Sequence, residues 1–192
     1  SGMVVSQNYL SSDIGIEILN IGGNAVDAAV AVGFSLAITL PRAGNLGGGG
    51  FMLVYIKEKN EIFYIDYRSK SPLNSNLENI FNIKDDSGKN YETVPKNFDS
   101  KKYDFVDTGY KASAVPGTVA GLLEAHSRFG KLKLKDILEP VIKQAKQGIV
   151  VSYDLSKAIE STPRLANDPE SKKIYFDNDT PIQQYSLLNL LN

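Results

Sequence analysis

The chain has 192 residues with 21 basic and 22 acidic side chains, a formal net charge of −1, no cysteine and one histidine, His126. That length suits one domain, and the mixed charge gives no electrostatic reason to expect nucleic acid or an anionic membrane as partner. Without cysteine there is no disulfide, thiolate nucleophile or Cys-based metal site, and one histidine excludes a His-rich metal centre. Absence of cysteine also fits an oxidising compartment such as the periplasm. The opening Ser1-Gly2-Met3 carries no basic region or signal core, so any export signal is expected to have been removed or to lie outside these residues.

Charge is unevenly spread: the first 50 residues hold only Asp13, Glu17, Asp27 and Arg42, and read as core. Met3-Val4-Val5 suggests a short first strand. Ser11-Ser12-Asp13 offers N-cap groups for a helix carrying Ile14, Ile18 and Ile21 at helical spacing, and Gly22-Gly23 supplies its stop. Asn24 caps a second helix, with Asp27 at the third position favouring its positive end. That helix is apolar nearly all round, so it is enclosed on most sides. Its uncharged run, residues 28–40, is too short for the ~20 residues of a membrane span, and Pro41 ends it.

The spacing then predicts a strand over Phe51–Ile56, a polar turn at residues 57–60 and a second strand over residues 61–68. In the second strand Ile62, Tyr64, Asp66 and Arg68 share one face, and Phe63, Ile65 and Tyr67 the other. Both faces are largely apolar, which predicts a sheet covered on both sides and a layered α/β class. Residues 70–112 form a polar, turn-rich crossing segment with a short helix near residues 77–81. Pro116 marks the start of a helix that runs through Leu122-Leu123 to Gly130. Ile137, Leu138, Val141, Ile142 and Ala145 form an apolar stripe ending at Gly148, which Pro140 is expected to divide into two short helices. Residues 153–165 predict a last amphipathic helix. Residues 187–192 are apolar and helix-like without a stop signal, which predicts a fragment of a longer protein.

Between the enclosed helix and the first strand stand four consecutive glycines, Gly47, Gly48, Gly49 and Gly50. Such a run permits positive φ and removes every Cβ, so backbone or ligand must approach closely there. It is not a P-loop, because Gly50 leads into Phe51 where Lys and Ser or Thr are needed. Nor is it a dinucleotide fingerprint, which needs the strand before the glycines and the helix after them.

Five stretches in order resemble the γ-glutamyltransferase (glutathione hydrolase) family, the bacterial enzymes in particular. They are Gly2-Met3-Val4-Val5-Ser6, Gly22-Gly23-Asn24-Ala25-Val26-Asp27-Ala28-Ala29, Gly44-Asn45-Leu46-Gly47-Gly48-Gly49-Gly50-Phe51-Met52-Leu53, Ile65-Asp66-Tyr67-Arg68 and Val115-Pro116-Gly117-Thr118-Val119-Ala120-Gly121. The resemblance implies an N-terminal-nucleophile (Ntn) hydrolase of α+β class, a four-layer αββα sandwich. It implies an exported precursor, periplasmic or secreted, that cleaves itself into a large and a small subunit forming a heterodimer. Residues 1–192 match the N-terminal part of the large subunit. The nucleophilic threonine, the oxyanion site and most substrate ligands then belong to the small subunit, outside these residues. The implied substrates are glutathione and other γ-glutamyl compounds, with water, amino acids or peptides as acceptors. Neither a metal nor an organic cofactor is implied.

Within this chain the resemblance assigns one ligand, Arg68, to the α-carboxylate of the γ-glutamyl group. The residues alone leave Arg68 open between that role and a surface or ion-paired cation. A planar guanidinium suits the task because it meets a carboxylate with two parallel charged hydrogen bonds. Many family members follow this arginine with Glu, a variable residue, Ala and Pro, whereas here stand Ser69-Lys70-Ser71-Pro72; Asp66 shares the strand face of Arg68. Gly47, Gly48, Gly49 and Gly50 are read as close packing beside the site. Asp27 is read as a helix-start residue, and His126 lacks a catalytic partner motif. The hydroxyls of residues 113–118 read as a helix start, since no Gly-x-Ser-x-Gly elbow is present. Ser1 aligns with the beginning of the large subunit, not with the nucleophile. Two rival readings stay open: a sister acylase acting on poly-γ-glutamate or a β-lactam side chain, and a non-catalytic remnant with a binding or structural role.

Overall fold

The computed structural model describes residues 2–73, 75 and 112–189. The helix expected near residues 77–81, most of the polar crossing segment and Ser1 lie outside the described residues.

Helix α1 (Tyr9–Asn20) starts earlier than the Ser11-Ser12-Asp13 reading placed it. Asn8 is the cap, its side chain accepting the Leu10 N–H at 3.0 Å. Ser11 is instead fully buried, with its Oγ 2.7 Å from both Ser35 Oγ and Thr39 Oγ1 of the next helix. Ile14 and Ile18 enter the core while Ile21, at the C-cap, stays exposed. Gly22 takes a φ of +94°, the left-handed stop that a glycine makes at little cost. Helix α2 (Ala25–Thr39) opens with the expected Asn24–Asp27 pair, a reciprocal capping box. It packs against α1, α3 (Thr118–Phe129) and α4 (Leu134–Gln147), which explains its apolarity on nearly every side.

Strands β1 (Phe51–Ile56) and β2 (Glu61–Asp66) form an antiparallel hairpin with Phe51 opposite Asp66 and Ile56 opposite Glu61. The helices cover one face, burying Val54 and Ile65. The other face is bare among the described residues: Leu53 is 72% exposed and Ile62 71%, with Phe51, Tyr55 and Tyr64 beside them. The expectation of a sheet covered on both sides is thus corrected to one side. The layering is α+β, not α/β, because the helices lie together on a single face.

Helix α4 runs unbroken through Pro140, against the expected division. Burial of Ile137 and Val141 in the core holds the helix through the lost backbone hydrogen bond. Gly148 (φ +73°) ends it, and β3 (Ile149–Val150) pairs antiparallel with β6 (Leu187–Leu188). The helix-like tail is therefore a strand where it is described, with Leu188 buried against Ile149. The predicted last helix is shorter. Helix α5 (Tyr153–Glu160) stops before Pro163, whose 3₁₀ turn (Pro163–Asn167) leads to α6 (Pro169–Tyr175) and the small hairpin β4 (Phe176–Asp177) and β5 (Thr180–Pro181). Met3-Val4-Val5 belongs to no strand; Val4 packs on the core while Met3 and Val5 are exposed. Among the described residues no helix is long and apolar enough to cross a membrane.

Candidate functional site

Three segments converge where β2 ends: the glycine loop before β1, the strand exit at residues 67–70, and the start of α3. One residue past the ladder, Gly50 and Tyr67 still exchange backbone hydrogen bonds (Gly50 N–H to Tyr67 O, 3.3 Å; Tyr67 N–H to Gly50 O, 3.0 Å). Further on, Lys70 and Val115 exchange both of theirs at 3.1 and 2.8 Å. The loop and the helix are joined in turn. Gly117 and Thr118 donate their N–H groups to Gly48 O at 2.8 and 3.2 Å, and the Thr118 hydroxyl donates to Asn45 O at 3.2 Å. The N-cap of α3, Gly117, has no side-chain cap, so the Gly48 carbonyl satisfies donors that a helix start leaves unpaired.

Residues 67–69 thread through this triangle with little room. A Cβ on Gly49 would stand 2.5 Å from Tyr67 O and nearer still to Ser69 N; one on Gly117 would collide with the Tyr67 carbonyl. Cβ atoms on Gly50 and Gly121 would strike the Tyr67 ring. The ring is half-buried, and burial pushes its phenol pKa up, so Tyr67 stays neutral beside Arg68. Two of the four predicted glycines, Gly49 and Gly50, are thus required by close approach. Gly47 and Gly48 meet only Asn45 and the Thr118 hydroxyl at ordinary or slightly tight distances. None of the four has a positive φ, so the lost Cβ is the property used, not backbone handedness.

Arg68 leaves this clamp at the end of β2 with its side chain exposed. Its own N–H donates to Asp66 Oδ1 at 2.9 Å, a local turn that fixes where the chain departs from the sheet. Among the described residues no carboxylate forms an ion pair with its guanidinium. The arrangement presents a cation on a rigid backbone, able to take a carboxylate from outside.

The other candidates separate from this site. Asp27 is fully buried, and its carboxylate accepts from Asn24 N–H (2.9 Å), Lys131 N–H (3.0 and 3.1 Å) and Leu132 N–H (3.3 Å). His126 Nε2 lies 2.9 Å from Leu132 O, so both residues secure the α3–α4 turn. No group of His, Asp and Glu among the described residues is placed to hold a metal ion. Sequence reasoning missed Gly117, Gly121 and Tyr67 as parts of the site. The signal was available: glycines four apart lie on one helix face, where they invite a close neighbour.

Comparison with known proteins gives the family and the fold. The gamma-glutamyltranspeptidase family matches residues 11–191. The chain is 39% identical over 185 residues to the glutathione hydrolase proenzyme of Escherichia coli, covering 95% of this chain and 29% of that protein. It is 36% identical over 183 residues to the acylase ACY 1 proenzyme of a Pseudomonas strain, covering 95% and 31%. The crystal structure of Helicobacter pylori γ-glutamyltranspeptidase superimposes with a TM-score of 0.82 at 34% identity, over 98% of this chain and 50% of that one. The chain therefore spans less than a third of those two curated relatives. Its fold is the α+β fold of the Ntn-hydrolase γ-glutamyltranspeptidases. Sequence and structure together show that the chain belongs to the γ-glutamyltranspeptidase family.

Proposed function

We propose that these residues form the N-terminal part of the large subunit of a periplasmic or secreted γ-glutamyltransferase/glutathione hydrolase, with Arg68 holding the α-carboxylate of the γ-glutamyl group. The nucleophile in this reading is the threonine at the start of a small subunit cut from the same precursor. Its hydroxyl attacks the γ-glutamyl amide with its own α-amino group as base, and water or an amino acceptor then releases the γ-glutamyl group. The observation that carries the reading is Arg68 itself, exposed on a clamped backbone with no ion pair among the described residues. The short reach of the chain along proenzyme relatives supports its place within a longer precursor.

The full gene product tests this. It is expected to yield two fragments by gel and intact mass, the smaller beginning with Thr, and to hydrolyse glutathione. Arg68→Lys is expected to lower kcat/KM at least about ten-fold, since a charged hydrogen bond contributes ~1.5–3 kcal/mol. An unchanged kcat/KM would remove Arg68 from the site; a single uncleaved chain would make this an inactive relative. A second reading is favoured by the acylase match. In it the substrate is poly-γ-glutamate or a β-lactam side chain, and turnover of these against glutathione separates the two.

A further inference from the structure

We propose that Gly49, Gly117 and Thr118 are positioning residues for Arg68, an assignment that rests on Arg68 being the carboxylate ligand. The guanidinium has no ion-pair partner among the described residues, and the backbone beneath it sets where the side chain starts from. That backbone is fixed at both ends, by the Gly50–Tyr67 and Lys70–Val115 hydrogen-bond pairs. Between them Gly49 and Gly117 press on the peptide groups of residues 67–69, close enough that no side chain fits at either position.

The two walls are not independent. Gly48 O accepts from Gly117 and Thr118, and the Thr118 hydroxyl holds Asn45 O at 3.2 Å from a site that is nearly buried. Loop and helix therefore move as one frame around the peptide that carries Arg68. A methyl group on either wall drives residues 67–69 outward, and a long side chain such as arginine multiplies a small backbone rotation into a displacement of the guanidinium. The displaced group no longer meets both carboxylate oxygens, so binding of the γ-glutamyl group suffers before the chemistry does.

A double-mutant cycle on the self-cleaved, full-length enzyme decides this, with KM and kcat for a γ-glutamyl anilide as readouts. Gly117→Ala is expected to raise KM about ten-fold or more with kcat changed far less. In the Arg68→Lys background the same change is expected to add no more than about two-fold, because the two act through one contact. Thr118→Val, which adds no bulk and lets the protein fold should the glycine variants fail, is expected to raise KM in the same direction. Thr118→Ser restores it by keeping the hydroxyl. Multiplying losses in the double variant, or a wild-type KM in Thr118→Val, would overturn the positioning role while leaving Arg68 as ligand. Wild-type kinetics in Arg68→Lys alone would instead overturn the ligand reading beneath it.

Discussion

Asp27 shows how a residue can be read correctly and still incompletely. Its place three positions after Asn24 announces a helix start, and the capping box is there. Its second task, accepting the Lys131 and Leu132 N–H groups across more than a hundred residues, leaves no trace in local spacing. Only the approach of the α3–α4 turn to the start of α2 creates it. Asp27→Ala would strip three part-buried donors, the Asn24, Lys131 and Leu132 N–H groups, of their acceptor, at ~1–3 kcal/mol for any that water does not reach. The full protein carrying it is expected to unfold at clearly lower urea, with Asp27→Asn intermediate; an unshifted midpoint would make the carboxylate dispensable. The Asp-aromatic-Arg pattern singled out Arg68 as the proposed ligand, whereas of the clamp beneath it only the spacing of Gly117 and Gly121 left a trace in the sequence. The two glycines announce a close neighbour, but that the neighbour is Tyr67 is decided by tertiary packing alone.

At the scale of elements, the misreadings share a cause: serine, proline and short apolar runs each suit two structures. Ser11 looks like a cap, yet Asn8, with equivalent chemistry three residues earlier, takes that place and frees Ser11 for the core. There it joins Ser35, Thr39 and Gln144 in a chain of hydrogen bonds linking α1, α2 and α4. Ser35 is the hub, 2.7 Å from both Ser11 Oγ and Gln144 Oε1. Ser35→Ala is expected to destabilise the protein by ~1–3 kcal/mol. Adding Ser11→Ala should cost less than its separate effect, because the two share a partner; strict additivity of the melting shifts would deny the network. Pro140 and the tail at residues 187–188 fail for the complementary reason. Local rules break the first and coil the second, while burial of Ile137, Val141 and Leu188 decides otherwise.

For the whole molecule, alternation in β1 and β2 fixed which side chains share a face, but not how many layers cover them. Among the described residues the helices cover the face of Val54 and Ile65, with Met52, Ile56 and Phe63 packed beside them, and leave Phe51, Leu53, Tyr55, Ile62 and Tyr64 as an exposed apolar sheet surface. Contiguous surfaces of that kind mark contact sites, and a second sheet fits there in the proposed large-subunit reading. These 192 residues produced alone are accordingly expected to self-associate and to release no chromophore from a γ-glutamyl anilide. Turnover clearly above a blank, from a monodisperse monomer, would contradict that expectation.

The pairing of Lys70 with Val115 has a consequence for variation among relatives. The chain leaves the site at one residue of this bridge and returns at the other, so the intervening stretch is tied off at its base. Closing such a tether costs free energy only logarithmically in its length, about 0.6 kcal/mol for each doubling. Changes of length or sequence between these two residues are therefore expected to leave the Gly50–Tyr67 and Gly48–Gly117 hydrogen bonds around Arg68 in place.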